Sequence, residues 1–333
     1  MSRRSRDEAA VGLAVAEVER ATPASPALVL EDSRPDLAAA LEARGVAVDT
    51  WSRTDPGGTA PPADGDRALV AVRLPRARQE LEMLLHWAAG ALRPGGRLWV
   101  YGANDEGVKS VPKRLPPLFD DAVTLATGGH ARLVAAMRAA GGPVPRTGLD
   151  PWLETVELAF PSGPRRWVTV PGAFAHGRLD EGTALLLEHL PEIAEGARVL
   201  DYGTGTGPLA AGVLARRPDA RVTGLEPDAL AVRAFRSNVP GGRVVLGGGW
   251  APLGEATWDV VVANPPSHRG KDETLAEIDT FLGGLASALE TDAVMRGVVQ
   301  RRLPLEARAR AAGLERVDPV ADAGPYRVWE VRP

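Results

Sequence analysis

A short apolar run that ends at two prolines is the feature that most constrains how this chain can fold. The segment Trp258–Ala263 is apolar from Val260 onward, and Asn264, Pro265 and Pro266 follow it directly. An apolar run bounded by chain breakers is typical of a strand that is buried on both faces of a parallel sheet. We therefore expect Asn264 at the carboxyl edge of a sheet, where ligands bind in open α/β folds.

Strand-like and helical segments alternate along both halves of the chain, which predicts an α/β fold with mostly parallel sheets. The segment Asp66–Pro75 takes the place in the first half that Trp258–Pro266 takes in the second. The halves are thus interpreted as two tandem Rossmann-like domains, residues 1–155 and 156–333, with the first a degenerate copy. Two unrelated α/β domains remain the alternative. The first ten residues are expected to be frayed, and Tyr326–Val331 is expected to be an edge strand.

Composition removes several classes of chemistry. The 333 residues include no cysteine, which excludes disulfides, thiolate metal sites, iron–sulfur clusters and cysteine nucleophiles. The five histidines show no metal-ligand spacing, so no metal is expected. No apolar run approaches the ~20 residues of a membrane span, and no signal core is visible. We therefore expect a cytoplasmic protein without a membrane partner. The net charge of −4 means that a polyanion would have to bind a local patch.

A glycine-rich turn follows the first strand of the second half. Gly203, Gly205 and Gly207 would let a ligand approach the backbone closely, and Glu226 at the end of the next strand could accept hydrogen bonds from ribose hydroxyls. A dinucleotide fingerprint would need glycine where Pro208 stands. The pattern therefore favours a smaller nucleoside with an amino-acid tail over a dinucleotide.

The stiff tip formed by Asn264, Pro265 and Pro266 suits one chemical task. Two prolines fix the backbone and remove two donors, so side-chain and backbone oxygens are left as acceptors. Such acceptors can hold an exocyclic –NH2 group. A plain turn after a strand is the alternative, because Asn-Pro pairs commonly begin turns.

Together these motifs resemble the class I S-adenosylmethionine-dependent methyltransferases. Within that class the chain is similar to the RsmC-type methyltransferases, which modify the exocyclic amine of a guanine in small-subunit ribosomal RNA and have duplicated domains. The stretches that carry the resemblance are Val170–Phe174, Leu179–Thr183, Asp201–Gly207, Asn264–Pro266 with His268, and, in the first half, Gly102–Ser110.

The resemblance implies S-adenosyl-L-methionine as the cofactor and assigns the site. Catalytic residues are predicted to be Asn264, Pro265 and Pro266. The predicted cofactor site comprises Asp201, Gly203, Thr204, Gly205, Gly207, Glu226, Pro227, Trp250 and Asn264. The predicted substrate site comprises Phe174, Ser267 and His268.

Two departures from the family pattern affect this assignment. The family usually has an aromatic residue where this chain has Ser267, so Phe174 or Trp250 would have to supply the ring that stacks on the base. The loop after the third strand of the second half lacks a polar partner for adenine. Trp250 is predicted to stack on adenine there, with simple core packing as its alternative.

The resulting hypothesis is methyl transfer to a guanine amine in 16S ribosomal RNA by the second half. The partner would be ribosomal RNA or the small ribosomal subunit, the protein a monomer, and the first half a scaffold or RNA-binding copy. One alternative is N-methylation of adenine or of a protein glutamine amide by the same Asn-Pro-Pro tip. Another is a non-catalytic RNA-binding or ribosome assembly factor.

Overall fold

A computed structural model describes residues 3–21, 24–55, 60–61, 63–265 and 271–333. They divide into two units, Met1–Trp152 and Leu153–Pro333. Each unit contains a mostly parallel sheet that is packed against helices, which confirms the predicted two-domain α/β class. In the part of the chain that the structure describes, no helix is both long enough and apolar enough to cross a membrane.

The described residues of the first unit form three α-helices and a six-stranded sheet. Its elements are α1 (Arg3–Arg20), β1 (Ala27–Leu30), α2 (Asp36–Glu42), β2 (Val48–Trp51), β3 (Arg67–Arg73), α3 (Arg78–Ala91), β4 (Leu92–Ala103), β5 (Phe119–Gly128) and β6 (Ala131–Arg138). The strand order is β2-β1-β3-β4-β6-β5; β1 to β4 are parallel, β6 is antiparallel to β4, and β5 is antiparallel to β6.

The second unit opens with a hairpin and then forms a seven-stranded sheet. Its elements are β7 (Glu154–Phe160), β8 (Gly163–Thr169), α4 (Glu181–Glu188), β9 (Arg198–Tyr202), α5 (Pro208–Arg216), β10 (Arg221–Glu226), α6 (Ala229–Asn238), β11 (Arg243–Leu246), β12 (Trp258–Ala263), α7 (Lys271–Ala288), β13 (Leu289–Gln300), α8 (Leu305–Ala311), β14 (Arg316–Ala323) and β15 (Tyr326–Arg332). The order in the sheet is β11-β10-β9-β12-β13-β15-β14.

Two expectations about the chain ends are wrong. The amino-terminal residues from Arg3 belong to α1, whose Ala10, Val11 and Ala14 are buried, and this apolar face anchors the helix to the first sheet. Strand β15 is internal, because it pairs with β13 on one side and with β14 on the other. The edge strand next to β15 is β14, whose mostly exposed side chains give little apolar pattern from which to predict it.

The central strands of the second sheet are buried on both faces, as the apolar run predicted. Val260 and Val262 of β12 lie in the apolar cluster that includes α4 and α5, whereas Val261 and Ala263 lie in the cluster that includes α7 and α8. Alternate side chains thus enter two different cores. Strand β12 is parallel to its neighbours β9 and β13, so its last residue lies at the carboxyl edge of the sheet.

Candidate active site

Asn264 lies at the carboxyl edge of the second sheet, directly after β12. Ala263 pairs with Tyr202 at the end of β9, so Asn264 and the glycine-rich turn that follows Tyr202 leave neighbouring strands at the same level. The side chain of Asn264 is half-buried, and Pro265 is buried. The sheet therefore brings together the two motifs that the sequence singled out.

The amide nitrogen of Asn264 is held by two side chains from α4. Asn264 Nδ2 donates to Asp180 Oδ2 and to Thr183 Oγ1, with both distances 2.8 Å. Asp180 is also the N-cap of α4, because its Oδ2 accepts from the Thr183 amide at 3.0 Å. The contact of Asp180 with Asn264, 84 residues away, was not predicted from the sequence. The stretch Leu179–Thr183 was singled out from the sequence only because it resembles the family pattern.

Asp201 stabilises the glycine-rich turn by joining it to the start of α5. Its side chain is fully buried, and its Oδ2 accepts from Thr204 Oγ1 at 2.5 Å and from the amide of Ala210 at 3.0 Å. Burial raises the pKa of Asp201 to about 7. The Thr204 hydroxyl is thus directed at Asp201, so any contact of Thr204 with a cofactor would come from its backbone. No described residue donates to the buried Asp201 Oδ1.

Glycine occupies the three predicted positions for two different structural reasons. Gly203 and Gly205 have φ of +73° and +57°, and a Cβ built on either would meet no atom within 4 Å. Their backbone therefore borders open space that a ligand can enter. Gly207, with φ +96°, lies against α6, where a Cβ would come within 2.7 Å of Phe235. A backbone cradle of this kind fits the nucleoside with an amino-acid tail that was predicted from the sequence.

Glu226 joins the end of β10 to the glycine turn. Its Oε2 accepts from the amide of Gly205 at 2.7 Å, and its Oε1 accepts from the amide of Asp228 at 3.0 Å. Burial, with a smaller effect of the nearby Asp228 charge, raises the pKa of Glu226 to about 7. Each carboxylate oxygen can accept a second hydrogen bond. The carboxylate can therefore hold the turn and still accept from ribose hydroxyls.

Pro227 and Trp250 lie in the loops that follow β10 and β11. The amide of Gly247 donates to the Glu226 carbonyl, which brings the loop after β11 beside Pro227. Trp250 is half-buried; its Nε1 donates to the Phe281 carbonyl at 3.0 Å, and its ring packs on Tyr202 and Phe281. The indole therefore has the packing role that was weighed as its alternative, and its contact with adenine stays a prediction.

The β7–β8 hairpin is tied to the glycine turn, which sequence reasoning missed. Asn238 at the end of α6 exchanges two hydrogen bonds of 2.8 Å with the backbone of Val168, and its Nδ2 also donates to the Thr206 carbonyl at 3.0 Å. Trp167 Nε1 donates to Thr206 Oγ1 at 2.9 Å. After the hairpin, Phe174 exposes 54% of its surface, which is unusual for a phenylalanine.

The remaining predicted site residues are Pro266, Ser267 and His268, which lie outside the described residues. Within the described ranges, no group of three or more histidine, aspartate or glutamate side chains could hold a metal ion. The site is therefore built from a backbone cradle, two buried carboxyls and one oriented amide.

Two family models match this chain. The "Methyltransferase small domain" model matches residues 165–330, and its N-terminal counterpart matches residues 25–140. Among known proteins, the "Ribosomal RNA small subunit methyltransferase C" of Shewanella pealeana is 30% identical over 272 residues, which cover 80% of this chain and 78% of the relative. The protein of the same name from Pseudomonas fluorescens is 35% identical over 266 residues, covering 78% and 76%.

A solved structure agrees with these matches at the level of the fold. The T. thermophilus 16S rRNA N2 methyltransferase RsmC, solved with AdoMet and guanosine, superposes with a TM-score of 0.78. The superposition covers 97% of this chain and 91% of that one at 22% identity. The relatives and both family models thus confirm the resemblance that the motifs predicted, and the two-unit chain with an Asn-Pro-Pro tip belongs to the RsmC family of class I methyltransferases.

Proposed function

We propose that the second unit transfers a methyl group from S-adenosyl-L-methionine to the exocyclic amine of a guanine in 16S ribosomal RNA. The observation that carries the proposal is the orientation of Asn264. Its amide nitrogen donates inward to α4, so the oxygen is the atom left to accept a hydrogen bond from a substrate. The named relatives and the solved neighbour, which binds AdoMet and guanosine, support this choice of cofactor and substrate.

The cofactor would lie over the glycine turn. Gly203 and Gly205 would accommodate its amino-acid tail, Glu226 would accept from its ribose hydroxyls, and Pro227 and Trp250 would border its adenine. Asp201, Thr204 and Gly207 would keep the turn in shape. S-adenosyl-L-methionine supplies a methyl group that is already activated by a sulfonium, so the protein mainly has to align a nucleophile with it.

The target amine is a poor nucleophile because its lone pair is delocalised into the base. The Asn264 oxygen and the Pro265 carbonyl would each accept one amine hydrogen and so draw the nitrogen out of conjugation. As the new N–C bond forms and the S–C bond breaks, the amine becomes cationic and then loses a proton to solvent. Phe174, Ser267 and His268 would hold the base, with Phe174 as the stacking ring.

The ribosomal substrate implies the cytoplasm as the place of action. We assign the first unit, residues 1–155, a scaffold or RNA-binding role and residues 156–333 the catalytic role, in a protein that acts as a monomer without metal. Phosphate contacts by surface arginines and lysines would make RNA binding weaken steeply with salt.

The test is a map of modified nucleotides. Radiolabelled cofactor is incubated with the full-length protein and small subunits, free 16S RNA, or total protein, and the labelled product is identified by mass spectrometry. We expect label on the exocyclic amine of one guanine, and none with Asn264→Ala, which should still bind the cofactor in calorimetry. Label on adenine or on a protein glutamine, or cofactor binding without any methyl transfer, would overturn the proposal.

A further inference from the structure

We infer that Asp180 and Thr183 are positioning residues for methyl transfer, which act by fixing the Asn264 side chain as a pure hydrogen-bond acceptor. The inference rests on the proposed function, because the acceptor serves the target amine. It goes further by placing part of the catalytic geometry on α4, which does not belong to the Asn-Pro-Pro motif.

Both hydrogens of the Asn264 amide are used within the protein. One is donated to Asp180 Oδ2 and the other to Thr183 Oγ1, each at 2.8 Å. An amide –NH2 has only two hydrogens, so none remains for a ligand. A flipped amide would place the Asn264 oxygen against a carboxylate oxygen, and the two acceptors would repel each other. The pair therefore selects a single orientation of the amide.

The two acceptors are held by the fold and not by the substrate. Asp180 caps α4, and Thr183 lies in the first turn of the helix with 4% of its surface exposed. The Thr183 hydroxyl contacts Asp180 Oδ2 at 3.4 Å, so its hydrogen points toward the carboxylate and its lone pairs toward Asn264. Helix α4 packs on β13 and β15 of the same sheet. Asn264 is thus oriented by a rigid element before any ligand arrives.

The carboxylate also affects the strength of the acceptor. A negative charge that accepts from Nδ2 polarises the amide and increases the negative charge on its oxygen. That oxygen would then stabilise the positive charge that develops on the amine during transfer, more than it stabilises the neutral amine before it. Loss of either partner should therefore lower kcat and leave the affinity for the cofactor unchanged.

Two matched pairs of variants separate positioning from folding. Thr183→Val removes the hydroxyl at constant shape, whereas Thr183→Ser retains it. Asp180→Asn keeps an N-cap of equal quality but removes the charge, whereas Asp180→Ala removes both. We expect Thr183→Val and Asp180→Asn to lower kcat about 10- to 100-fold, as for a lost hydrogen bond to a charged or oriented group. Thr183→Ser should stay within threefold of wild type, and the cofactor Kd should not move in any of the three.

A second measurement does not depend on turnover. Hydrogen exchange of the Asn264 side-chain amide, assigned by NMR through its loss in Asn264→Ala, should be slow in the wild type and fast in Thr183→Val. Slow exchange without any methylation would mean that the proposed function fails while the orientation of Asn264 stands. Fast exchange in the wild type, or full kcat in both Thr183→Val and Asp180→Asn, would overturn the inference.

Discussion

Arg73 occupies the position in the first sheet that Asn264 occupies in the second. Val72 pairs with Leu30 at the end of β1, as Ala263 pairs with Tyr202 at the end of β9, so each residue is the next one along its strand. The Arg73 guanidinium donates to Asp7 of α1 at 2.6 Å and to Glu106 at 2.9 Å.

Helix α1 packs on α2, β4 and β6, as α4 packs on α5, β13 and β15, so Asp7 corresponds in place to Asp180. In both units, therefore, the residue at this strand end donates a hydrogen bond to a carboxylate that a helix carries. The difference lies in what that residue can offer a ligand. A guanidinium has only donors, whereas an amide keeps an acceptor oxygen, so the first unit cannot hold a target amine in this way.

Replacing Arg73 should therefore affect stability and not chemistry. Its side chain is nearly buried, and Arg73→Met would leave the carboxylates of Asp7 and Glu106 without their shared cation. We expect the free energy of unfolding to fall by about 3 kcal/mol, as when one partner of a buried ion pair is removed. Urea denaturation measures this loss. The kcat for methyl transfer, measured where the variant is fully folded, should equal that of wild type.

Arg76→Met is the matched control, because Arg76 is exposed on the loop that follows β3. This substitution should change neither the free energy of unfolding nor kcat by a measurable amount. A large loss of kcat in folded Arg73→Met would show that this position in the first unit contributes to catalysis, contrary to the expectation.

A single methyl group at position 182 should disturb the orientation of Asn264. A Cβ built on Gly182 would lie 3.1 Å from Asp180 Oδ2 and 3.1 Å from the ring of Tyr326, which is fixed on β15. The Asp180 carboxylate or the Tyr326 ring would have to shift by a few tenths of an ångström to make room, and a shift of the carboxylate would loosen its bond to Asn264. We expect Gly182→Ala to lower kcat about tenfold or more, since small misplacements of catalytic groups are costly. Cofactor affinity, measured by calorimetry, should be unchanged.

The control for this variant is Gly283→Ala. Gly283 lies in α7, and a Cβ there would meet no atom within 4 Å. This substitution should leave kcat unchanged and should stabilise the helix slightly. Equal kcat in Gly182→Ala and Gly283→Ala would mean that the Asp180 contact does not limit the reaction.

Local patterns in the sequence were enough to predict most of the strands and to place the candidate site residues at one edge of the second sheet. The apolar run of β12 and its proline stop placed Asn264 correctly at the carboxyl edge, because strand burial and chain breakers are local properties. What could not be predicted is the hydrogen bond from Asn264 to Asp180, since only the packing of α4 on the sheet brings them together.

Trp250 illustrates the same limit. Its position after a glycine run is compatible with a ligand-stacking ring, and nothing nearby in the sequence indicates what it packs on. The indole lies against Gly284, where a Cβ would come within 2.2 Å of it, and that glycine belongs to a helix 34 residues later. Strands β5 and β14 were missed because both expose most of their side chains, and an exposed strand has no apolar alternation to detect. Strand β6 was also missed, although most of its side chains are buried.

The affinity for the cofactor should depend on pH through Glu226. Its pKa is raised to about 7 by burial, so the protonated form dominates below that pH. An ionised carboxylate accepts hydrogen bonds from ribose hydroxyls at both oxygens, whereas the protonated form loses acceptor capacity. We expect the Kd to fall as the pH rises from 5.5 to 8, by up to about tenfold per unit below pH 7. Calorimetry of wild type and Glu226→Gln across this range tests the idea, and the variant should show a flatter profile.

The affinity for the cofactor should increase as the pH rises, but the stability of the cofactor-free protein should decrease. A folded-state pKa above the usual value of 4.5 means that the folded state binds more protons between pH 4.5 and 7. The contribution of Glu226 to stability is therefore full below pH 4.5 and is lost as the pH rises through 7. Glu226→Gln should weaken the dependence of the free energy of unfolding on pH without abolishing it, because the pKa of Asp201 is raised in the same way. If Glu226→Gln left the pH dependence of the free energy of unfolding unchanged, the raised pKa of Glu226 would be contradicted.

The hairpin contact should matter for cofactor binding more than for transfer. Asn238→Ala would remove the side chain that joins Val168 of β8 to the carbonyl of Thr206 in the glycine turn. The glycine turn would lose this hydrogen-bond partner, whereas Asn264, which follows β12, would keep its bonds to Asp180 and Thr183. We expect the Kd for the cofactor to rise about tenfold and kcat at saturating cofactor to stay within threefold, with a loss of about 2 kcal/mol in stability from the unpaired backbone groups.

Two further variants define the interpretation of Asn238→Ala. Ser237→Ala changes the neighbouring residue, whose exposed hydroxyl accepts from Arg233 on the same helix, and should leave the Kd unaltered. Trp167→Phe removes the bond to the Thr206 hydroxyl together with part of a buried ring, but leaves the bonds of Asn238 to the backbone in place. It should give a smaller rise in Kd than Asn238→Ala. If Asn238→Ala instead lowered kcat and left the Kd at the wild-type value, the hairpin would act on the substrate side of the site and not on the glycine turn.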